Sequence, residues 1–449
     1  MTILHYVIGL PPQRHGGSVQ YAYDLMMEQS KSVDVVALTC GDTLFRTNKC
    51  KIRKKGKQGN VDVYSLTNPL TPTLIYGIKN PSNQYRDVNI DYGNIRDFIL
   101  DNKIDVMHLH TLMGIHKDIV GFIKSLGVKI IYTTHDFHGL CPRYNFIDNN
   151  GQLCCEINDE KCAACNVNEP SDLFLRLANS SLFHILKRVT GSRIYKKPRS
   201  ISRLSVISSN ISDHKIDKSI INDYRHLLEY YQSYFKLVDK FHFNSSQTKD
   251  VFKRFIPEAS GETIPVITKG INDKRHFLSP RKDIKFGFIG NLNKYKGFPI
   301  LKKVATELYD EGIRNFKVIV YGGTSSGIDS DCSTIEYMPP YDYSIISDIL
   351  YGLDCIVVPS VWYETFSLVT LEALSHGIPA IVSDHVGAKD IVASYKSDCI
   401  FHSTSELKQL MKMYITDPHK LIEYNQEIMI SDWNFSLASH AEIILDLYK

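Results

Sequence analysis

Short apolar runs that alternate with helix-like segments occur twice along the chain, and they constrain its fold more than any other feature. The first half contains ILHYVIGL, VDVVALTC, VDVYSL, IDVMHLH and VKIIYTTH, and the second half contains IKFGFIGNL, FKVIVYGG, DCIVVPS and PAIVSDH. Nearly continuous apolar strands separated by helices are typical of parallel sheets that are covered on both faces. The sequence therefore predicts an α/β chain with two doubly wound, Rossmann-like domains.

The predicted domain boundaries follow from where this alternation stops and restarts. We expect a first domain over residues 1–265, with a cysteine-rich and helical insertion at about 136–243, where the alternation breaks. A second domain is expected over 266–430, and a terminal helix over 431–449, begun by Ser431 or Asp432, should pack back toward the first domain. A chain of 449 residues is too long for one ordinary core, which agrees with two large domains.

The bulk composition excludes several classes of protein. The chain has 43% hydrophobic and 22% charged residues, and its formal net charge of +3 is too small to indicate nucleic-acid binding. The first residues, MTILHYVIGLPP, lack the basic flank of a signal peptide, and no apolar run reaches the ~18 residues of a membrane span. We therefore expect a cytoplasmic protein.

Polar residues that follow the predicted strands are the candidates for a binding site, since ligands of open α/β sheets bind at the carboxyl ends of the strands. In chain order these residues are Gly16 and Gly17, His108 and His110, His135 and Asp136, Asn291 to Lys296, and Ser360 to Glu364. We expect only one of the two histidines of HLH to face the ligand, and we favour structural roles for both.

Two glutamates lie eight residues apart in the otherwise apolar stretch SVWYETFSLVTLEALSHG, residues 360–377. Burying a carboxylate without a partner costs several kcal/mol, so both glutamates need a reason. We place Glu364 at a strand-to-helix turn and Glu372 about two turns into the helix. A carboxylate at Glu372 could accept two ribose hydroxyls. The alternative is that Glu364 caps the helix and Glu372 pairs with a nearby base.

The start of that helix is a second candidate for ligand binding. Helix N-termini carry backbone amides without intrahelical partners, and these favour an anion such as a phosphate. We expect the helix to begin near Thr365 or Ser367. The amides concerned are those of Phe366, Ser367 and Leu368.

These features occur within longer matches to one known family. PSVWYETFSLVTLEALSHGIPAIVSD resembles that family's E-x7-E stretch, and GFIGNLNKYKG resembles its phosphate loop. VITKGIND resembles its interdomain segment, and QRHGGSVQYAYDL its N-terminal glycine-rich loop. The chain thus resembles the GT4-type retaining glycosyltransferases of bacterial surface-polysaccharide synthesis. Their GT-B fold has two Rossmann-like domains that face each other across a cleft.

The resemblance implies a role for each matching residue. Lys296 would bind the diphosphate of the donor, and Glu372 would hold its ribose. Glu364 would contact the hydroxyls of the donor sugar or assist at the reacting face, and His135 would lie near the donor sugar and the acceptor. The two glycines after the first strand would let the backbone approach the diphosphate or the acceptor. For His135 the alternative is a local structural hydrogen bond.

The chain also departs from the family pattern. Asn291 stands where arginine is usual, which removes one charge opposite the diphosphate, and neighbouring Lys294 offers a compensating charge. The usual E-G-F-G is ETFS here, so two glycines are replaced around the donor sugar. These changes leave the class intact but leave the donor open between UDP- and GDP-sugars.

The function implied is transfer of a sugar from a nucleotide-diphosphate sugar to a hydroxyl of a glycan or lipid-linked oligosaccharide, with no cofactor required for catalysis. Two alternatives from other classes remain. One is a non-catalytic GT-B subunit that binds a partner or glycan, and the other is a sugar-nucleotide epimerase with the same fold.

A cysteine-rich stretch follows His135 and predicts a structural zinc site. In LCPRYNFIDNNGQLCCEINDEKCAACN, the C-x-x-C pair and two further thiols could supply four tetrahedral ligands. The candidate ligands are Cys141, Cys154, Cys162 and Cys165, and Cys155 could replace Cys154. The alternative is that reduced thiols pack as small apolar side chains.

A basic amphipathic stretch lies at residues 171–200, with basic residues clustered from Lys187 to Arg199. Such a helix can lie on an anionic membrane surface, and this would bring the protein to a lipid-linked acceptor at the inner face of the cytoplasmic membrane. A helix packed on the first domain with solvated charges is an equally good interpretation.

Overall fold

The computed structural model describes residues 1–41, 48–180, 217–279, 281–322 and 333–449. The described chain forms two compact α/β units. The first unit comprises Met1–His242, Phe252–Glu262 and Ala441–Lys449, and the second comprises Phe243–Val251 and Thr263–His440. The last nine residues therefore belong to the first unit, although the segment directly before them, Thr263–His440, belongs to the second.

Nine strands of the described chain form the first sheet: β1 (Thr2–Val7), β2 (Asp34–Cys40), β3 (Lys49–Gln58), β4 (Val61–Thr67), β5 (Asn89–Ile90), β6 (Ile104–Leu109), β7 (Lys129–Thr133), β8 (Lys240–Phe243) and β9 (Gly261–Thr263). Their order is β5-β3-β4-β2-β1-β6-β7-β8-β9. The central strands pair in parallel and bury most of their side chains. The five apolar runs predicted as strands are confirmed as β1, β2, β4, β6 and β7.

One strand of this sheet departs from the predicted parallel arrangement. β3 is antiparallel to β4, and its sequence KCKIRKKGKQ contains six basic residues. Its residues are buried at only a few positions and exposed along most of its length. An antiparallel strand can leave one face in water, so it tolerates a polar sequence that gives no apolar signal.

The helices described before the second sheet along the chain are α1 (Gly17–Gln29), α2 (Ser82–Tyr85), α3 (Tyr92–Asp101), α4 (Lys117–Ser125), α5 (Asp159–Asn166), α6 (Asp172–Asn179), α7 (Lys218–Phe235) and α8 (Ser246–Phe255). Several begin at polar caps, as where the Asp91 carboxylate accepts a hydrogen bond from the Asn94 amide. Within the predicted insertion, α7 buries an aromatic face that includes Tyr231, Tyr234 and Phe235. The basic cluster predicted from Lys187 to Arg199 lies outside the described residues.

The second unit contains a six-stranded sheet within the described chain: β10 (Ile284–Ile289), β11 (Phe316–Tyr321), β12 (Ile335–Tyr337), β13 (Cys355–Val358), β14 (Ala380–Ser383) and β15 (Ile400–Phe401). All pairs in this sheet are parallel. The order is β12-β11-β10-β13-β14-β15. The strand order reverses between β10 and β13, so the topological switch point, where open α/β sheets bind ligands, lies at the carboxyl ends of these two strands.

The remaining helices are α9 (Phe298–Asp310), α10 (Ile346–Tyr351), α11 (Leu368–Ser375), α12 (Lys389–Lys396), α13 (Thr404–Thr416), α14 (His419–Ile430) and α15 (Leu437–Leu447). The sequence predicted that Ser431 or Asp432 begins the terminal helix. In the structure this helix begins at Leu437. The side chain of Asn434 accepts a hydrogen bond from the Ser436 amide just before the helix. Across the described residues, none of the helices is both long and apolar enough to cross a bilayer.

Candidate functional site

The loops after β10 and β13 lie against each other at the switch point of the second unit. The Val361 amide donates to the Tyr295 carbonyl oxygen at 2.8 Å, which joins the two loops directly. Gly297 adopts φ 75°, and a Cβ there would lie 1.6 Å from the Pro359 carbonyl oxygen. Glycine is therefore required at this contact, since any other side chain would force the two loops apart.

This contact brings together the lysine and the first glutamate singled out from the sequence. Lys296 Nζ lies 2.5 Å from Glu364 Oε1, and the Ser360 hydroxyl donates to Glu364 Oε2. The ammonium also lies over the ring of Trp362, 5.5 Å from its centroid. The side chains of Lys296 and Glu364 are 28% and 12% exposed, so the ion pair is held at the surface of the unit and remains accessible.

The backbone of Glu364 is fixed as well as its carboxylate. Its amide donates to the His385 carbonyl oxygen at 2.9 Å, and its own carbonyl oxygen accepts from the Gly387 amide at 2.8 Å. Helix α11 begins only at Leu368, so Glu364 does not cap it. The alternative interpretation of Glu364 as a helix cap is therefore wrong.

The second glutamate, Glu372, is buried in the middle of α11. The Tyr343 hydroxyl donates to Glu372 Oε1 at 2.5 Å. Burial raises the pKa of the Glu372 carboxyl, and the hydrogen bond from Tyr343 opposes that shift. This hydroxyl is close to the backbone at Gly270, where a Cβ would lie 2.7 Å from Tyr343 Oη. Glu372 thus has a neutral donor as its partner and not a base, contrary to the alternative in which it pairs with one.

Sequence reasoning missed both Ser360 and Tyr343 as partners of the glutamates. Ser360 was a candidate as a polar residue after a predicted strand, but its bond to Glu364, four residues further on, was not predicted. Tyr343 is 29 residues from Glu372 along the chain. A single tyrosine in a polar turn carries no spacing signal, so this contact could be found only from the fold.

The first residues of α11 have an unusual backbone. Ser367 precedes the helix with φ 100° and makes no side-chain cap bond to it. Residues other than glycine rarely adopt this conformation, and glycine is usual at this position in the family that the sequence resembles. The chain keeps the glycine-like turn despite the substitution. The amide positions of Phe366, Ser367 and Leu368 therefore lead into the helix as expected, with the helix starting slightly later than predicted.

The side chain of Phe366 points away from this region. It is buried and lines a pocket of about 580 Å³ together with Ser245, Tyr395 and Trp433, all within the second unit. That pocket does not include Lys296, Glu364 or Glu372. Only the backbone of Phe366 can therefore contribute to the predicted anion site.

The loop that carries Lys296 is ordered by its own polar residues. The Asn293 side chain accepts from the Lys296 amide at 2.8 Å and caps the short turn Lys294–Lys296. Asn291 is exposed, and the Lys294 ammonium lies 5.4 Å from the ring centroid of Tyr295. The loop thus presents basic side chains at the carboxyl end of β10, where the sequence predicted a diphosphate.

The comparison with family models decides the identity of this unit. Residues 271–428 match the model described as "Glycosyl transferases group 1". The matched range includes both loops of the switch point and all of α11. The second unit contains a group 1 glycosyltransferase domain.

Two curated relatives resemble the chain at low identity. A D-inositol 3-phosphate glycosyltransferase of Corynebacterium aurimucosum is 23% identical over 45% of this chain and 55% of its own length. An uncharacterised protein of the cps region of Klebsiella pneumoniae is 21% identical over 84% of this chain and 83% of its own. The match to this chain thus covers about half the length of the D-inositol 3-phosphate glycosyltransferase. It covers 83% of the length of the cps-region protein.

Solved structures establish the fold. A trehalose-6-phosphate protein of E. coli bound to UDP-2-fluoro glucose has a TM-score of 0.56 at 12% identity, covering 100% of this chain and 99% of that one. Anabaena HepE in complex with UDP and glucose has a TM-score of 0.52 at 13% identity, covering 99% and 98%. The glycosyltransferase domain is therefore the second α/β unit of a GT-B fold, as the sequence predicted.

The remaining predicted site residues, Gly16, Gly17 and His135, lie in the first unit. Gly16 has φ 140° and precedes α1, and Gly17 is the first residue of that helix. His135 follows β7, and burial lowers its pKa to about 3, with His242 adding to the shift. The neighbouring Asp136 has its pKa raised by burial to about 6. The catalytic role of His135 stays a prediction.

The interpretation of His108 and His110 was wrong in one respect. Their rings are tilted against each other with centroids 4.2 Å apart, so both point to the same side of β6. Residues i and i+2 of a strand share a face. The structural roles that we favoured for them agree with their complete burial in the first unit.

The four predicted zinc ligands come from three short segments of the first unit. Cys141 lies in a turn after β7, Cys154 follows the bridge between Ile147 and Leu153, and Cys162 and Cys165 lie on α5. Burial raises the pKa of the Cys165 thiol to about 11 and that of the Cys162 thiol further, with neighbouring cysteines adding to both shifts.

These cysteines surround one region but are not drawn together as a metal would hold them. Among the described residues, a group of three potential ligand atoms within 4.8 Å of one another is formed by His5, His108 and His110, and the cysteines do not form such a group. The zinc site at Cys141, Cys154, Cys162 and Cys165 stays a prediction.

Proposed function

We propose that this chain is a GT4-type glycosyltransferase that transfers a sugar from a nucleoside diphosphate sugar to a hydroxyl group, with retention of anomeric configuration. One observation carries the proposal. At the switch point of a group 1 glycosyltransferase domain, an accessible Lys296–Glu364 pair joins the two loops that such folds use for ligands, and the same domain buries the carboxylate of Glu372.

Lys296 is proposed to bind the diphosphate. Its ammonium is held by a single carboxylate, which a ligand with two or more negative charges can outcompete. Negative charge develops on the diphosphate as its bond to the sugar breaks, and a positioned cation stabilises that charge in the transition state. Backbone amides at the start of α11 would add to this stabilisation.

Glu372 is proposed to hold the ribose. The Tyr343 hydroxyl donates to Glu372 Oε1 and orients the carboxylate. Each carboxylate oxygen can accept more than one hydrogen bond, so acceptor capacity remains for the ribose hydroxyls. Once displaced from Lys296, Glu364 would contact the hydroxyls of the donor sugar. Its other oxygen keeps the bond from Ser360, so the carboxylate stays oriented.

The reaction makes one bond and breaks one. The oxygen of the acceptor hydroxyl bonds to the anomeric carbon, and the bond from that carbon to the diphosphate oxygen breaks. The hydroxyl proton passes to the departing diphosphate, which leaves as the nucleoside diphosphate. Retention and the absence of a catalytic metal requirement follow from the family resemblance and are part of the proposal, as is a position for His135 beside the donor sugar.

The donor is proposed to be a UDP- or GDP-sugar. Solved proteins of similar fold are described with UDP or a UDP-sugar bound, which supports a nucleotide sugar without naming the base for this chain. Asn291, in place of the usual arginine, removes one cation near the diphosphate. The basic loop around Lys294 and Lys296 keeps a positive charge there.

The acceptor is proposed to be a glycan or lipid-linked oligosaccharide of a bacterial surface polysaccharide, reached by peripheral contact with the inner face of the cytoplasmic membrane. The resemblance to a protein of a cps region supports this setting. In the first unit, a pocket of about 380 Å³ at the carboxyl ends of β1 and β2 is lined by three basic side chains, Arg14, Lys55 and Lys57. Such a pocket suits an acceptor that carries a phosphate.

A transfer assay tests the proposal. Purified protein is incubated with radiolabelled UDP- and GDP-sugars and with lipid extracts of a polysaccharide-producing bacterium, and lipid-soluble label is measured. We expect label from one nucleotide class, lost in Glu364→Gln. Donor binding without transfer to any extract would favour the non-catalytic alternative, and exchange between two nucleotide sugars without acceptor would favour the epimerase.

A further inference from the structure

A continuous series of hydrogen bonds runs through the buried interior of the first unit and includes His135. His135 Nε2 lies 3.2 Å from His110 Nδ1, and His110 Nε2 lies 2.9 Å from His5 Nδ1. His5 Nε2 lies 3.0 Å from the Gln29 side-chain oxygen. His5, His110 and Gln29 are each at most 4% exposed, so these hydrogen bonds are shielded from solvent.

Burial keeps these imidazoles neutral. It lowers the pKa of His5 and of His135 to about 3, and it lowers that of His110 well below the ordinary value, with the neighbouring histidines contributing. A neutral imidazole has one N–H donor and one nitrogen that accepts. Each ring in the chain must therefore donate through one nitrogen and accept through the other.

Gln29 decides which nitrogen of each histidine ring donates and which accepts. Its amide oxygen faces His5 and can only accept, so His5 must carry its proton on Nε2. His5 Nδ1 then accepts, which requires the proton of His110 on Nε2. His110 Nδ1 accepts in turn, which requires the proton of His135 on Nε2.

We infer that Gln29 is a positioning residue for His135. Through His5 and His110 it fixes His135 in the tautomer with the proton on Nε2, and it makes Nδ1 the atom through which His135 accepts a hydrogen bond. The contact of Gln29 with this histidine is indirect, since two rings lie between them. Under the proposed function, a neutral acceptor at Nδ1 suits a hydroxyl group better than a diphosphate, which needs a donor.

The hydrogen bond made by the amide nitrogen of Gln29 is consistent with this assignment of protons. Its amide nitrogen donates to the Tyr448 hydroxyl at 3.4 Å, and that hydroxyl lies 2.6 Å from His108 Nδ1. With Tyr448 as the donor to His108, His108 Nε2 can donate to the Thr133 hydroxyl oxygen at 2.6 Å. These bonds then run in one direction, away from His135, and none of their donors gives the same proton twice.

A metal site at His5, His108 and His110 is the competing interpretation, since their nitrogens lie close enough together. The contacts favour the hydrogen-bonded chain. His5 and His110 are hydrogen-bonded to each other, and both ring nitrogens of His108 lie 2.6 Å from hydroxyl oxygens. A metal would have to displace several of these buried bonds, which are costly to lose without replacement.

Nitrogen NMR of the full chain tests the inference directly. With histidine labelled by ¹⁵N, two-bond nitrogen–proton correlation spectra distinguish a protonated from an unprotonated ring nitrogen, and His135→Gln identifies the signals. We expect Nε2 of His135 to be protonated and Nδ1 unprotonated at neutral pH, without substrate. A proton on Nδ1, a mixture of tautomers or a charged ring would overturn the inference. Since no donor or acceptor is present, the result does not depend on the proposed function.

Two variants separate positioning from general packing. Gln29→Met removes the acceptor of His5, and we expect the His135 signals to become those of a tautomer mixture. Tyr448→Phe removes a contact of Gln29 on the other side and should leave the His135 tautomer unchanged. The inference fails if Gln29→Met folds and keeps a single Nε2–H tautomer, or if Tyr448→Phe disturbs His135 as strongly. Should Gln29→Met not fold, the wild-type spectrum alone still decides.

Discussion

Lys296 Nζ lies 2.5 Å from Glu364 Oε1, and this ion pair joins the loop after β10 to the loop after β13. Both loops are at the switch point of the glycosyltransferase domain. The pair holds a cation in position without burying it, because the two side chains remain partly exposed. An anionic ligand with two or more negative charges can therefore compete with Glu364 for the ammonium.

Replacing Lys296 with methionine should lower the rate of sugar transfer by about 10²-fold, because removal of one preorganised charge opposite a developing anion costs that order of rate. The rate is measured with saturating donor. The thermal midpoint is measured as well, so that a loss of activity can be told from a loss of folding.

Lys303→Met is the matched control, since Lys303 is an exposed lysine on α9 whose ammonium is 3.9 Å from Glu307. It should leave the transfer rate unchanged. Wild-type activity in Lys296→Met would remove Lys296 from the diphosphate site.

Nucleotide affinity should depend on the protonation of Glu372. Burial raises the pKa of its carboxyl, and the ionised form is the one that can accept two ribose hydroxyls. Affinity should therefore be constant at high pH and weaken as the pH falls through this raised pKa. The dissociation constant is measured by calorimetry between pH 5 and 8, and Glu372→Gln should bind weakly at every pH.

Tyr343→Phe should move this pH dependence. The Tyr343 hydroxyl lowers the pKa of Glu372 against the effect of burial, so its removal should shift the fall in affinity to higher pH. At a pH where the wild-type carboxyl is ionised, we expect affinity to drop about tenfold, the cost of a hydrogen bond to a charged group. An unchanged pH profile in Tyr343→Phe would contradict the role of this contact.

The first unit should lose stability in mild acid. Burial lowers the pKa of His5 and His135 to about 3 and that of His138 to about 4, whereas in the unfolded chain they titrate near 6.5. Below 6.5 the unfolded chain therefore binds more protons, and the free energy of unfolding falls by up to about 1.4 kcal/mol per pH unit for each histidine. The raised pKa of Asp136, about 6, offsets one of them.

Hydrogen exchange of the β6 amides at pH 7.5, 6.5 and 5.5, corrected for intrinsic rates, isolates this unit. Protection should be level above 6.5 and fall below it. Protection that stays level down to pH 5.5 would show that these histidines are not held neutral.

Purified protein should contain about one zinc per chain if the four cysteines form a metal site. Cys162→Ser should lose the metal, because its buried thiol is one of the four predicted ligands. Cys155→Ser is the control, because Cys155 is exposed and lies outside the preferred ligand set. Elemental analysis that finds well-folded protein without zinc would assign these thiols to packing alone.

Most of the framework could be predicted from the sequence because parallel strands buried on both faces leave a strong signal. The runs of β1 and β10 are apolar almost throughout, and the turns that follow them hold the glycines and basic residues of the loops. β3 could not be predicted, since a half-solvated strand of lysines and arginines has no apolar pattern.

The candidate site divides in the same way. Lys296 and Glu364 could be selected because each follows a strand that the sequence marks, and Glu372 because a glutamate stands out in an apolar helix. Their partners Ser360 and Tyr343, and the link from Gln29 to His135, depend on where the chain folds back, and no local spacing encodes that.

The central claim is that the second unit binds a nucleotide sugar through Glu372, and binding of UDP- and GDP-sugars measured by calorimetry tests it most directly. The comparison uses wild type, Glu372→Ala, and Glu423→Ala, an exposed glutamate of α14 that serves as the control. We predict that wild type and Glu423→Ala bind one nucleotide class with the same affinity, and that Glu372→Ala weakens this binding at least tenfold. Equal affinity in all three proteins, or no binding of either class to wild type, would contradict the claim.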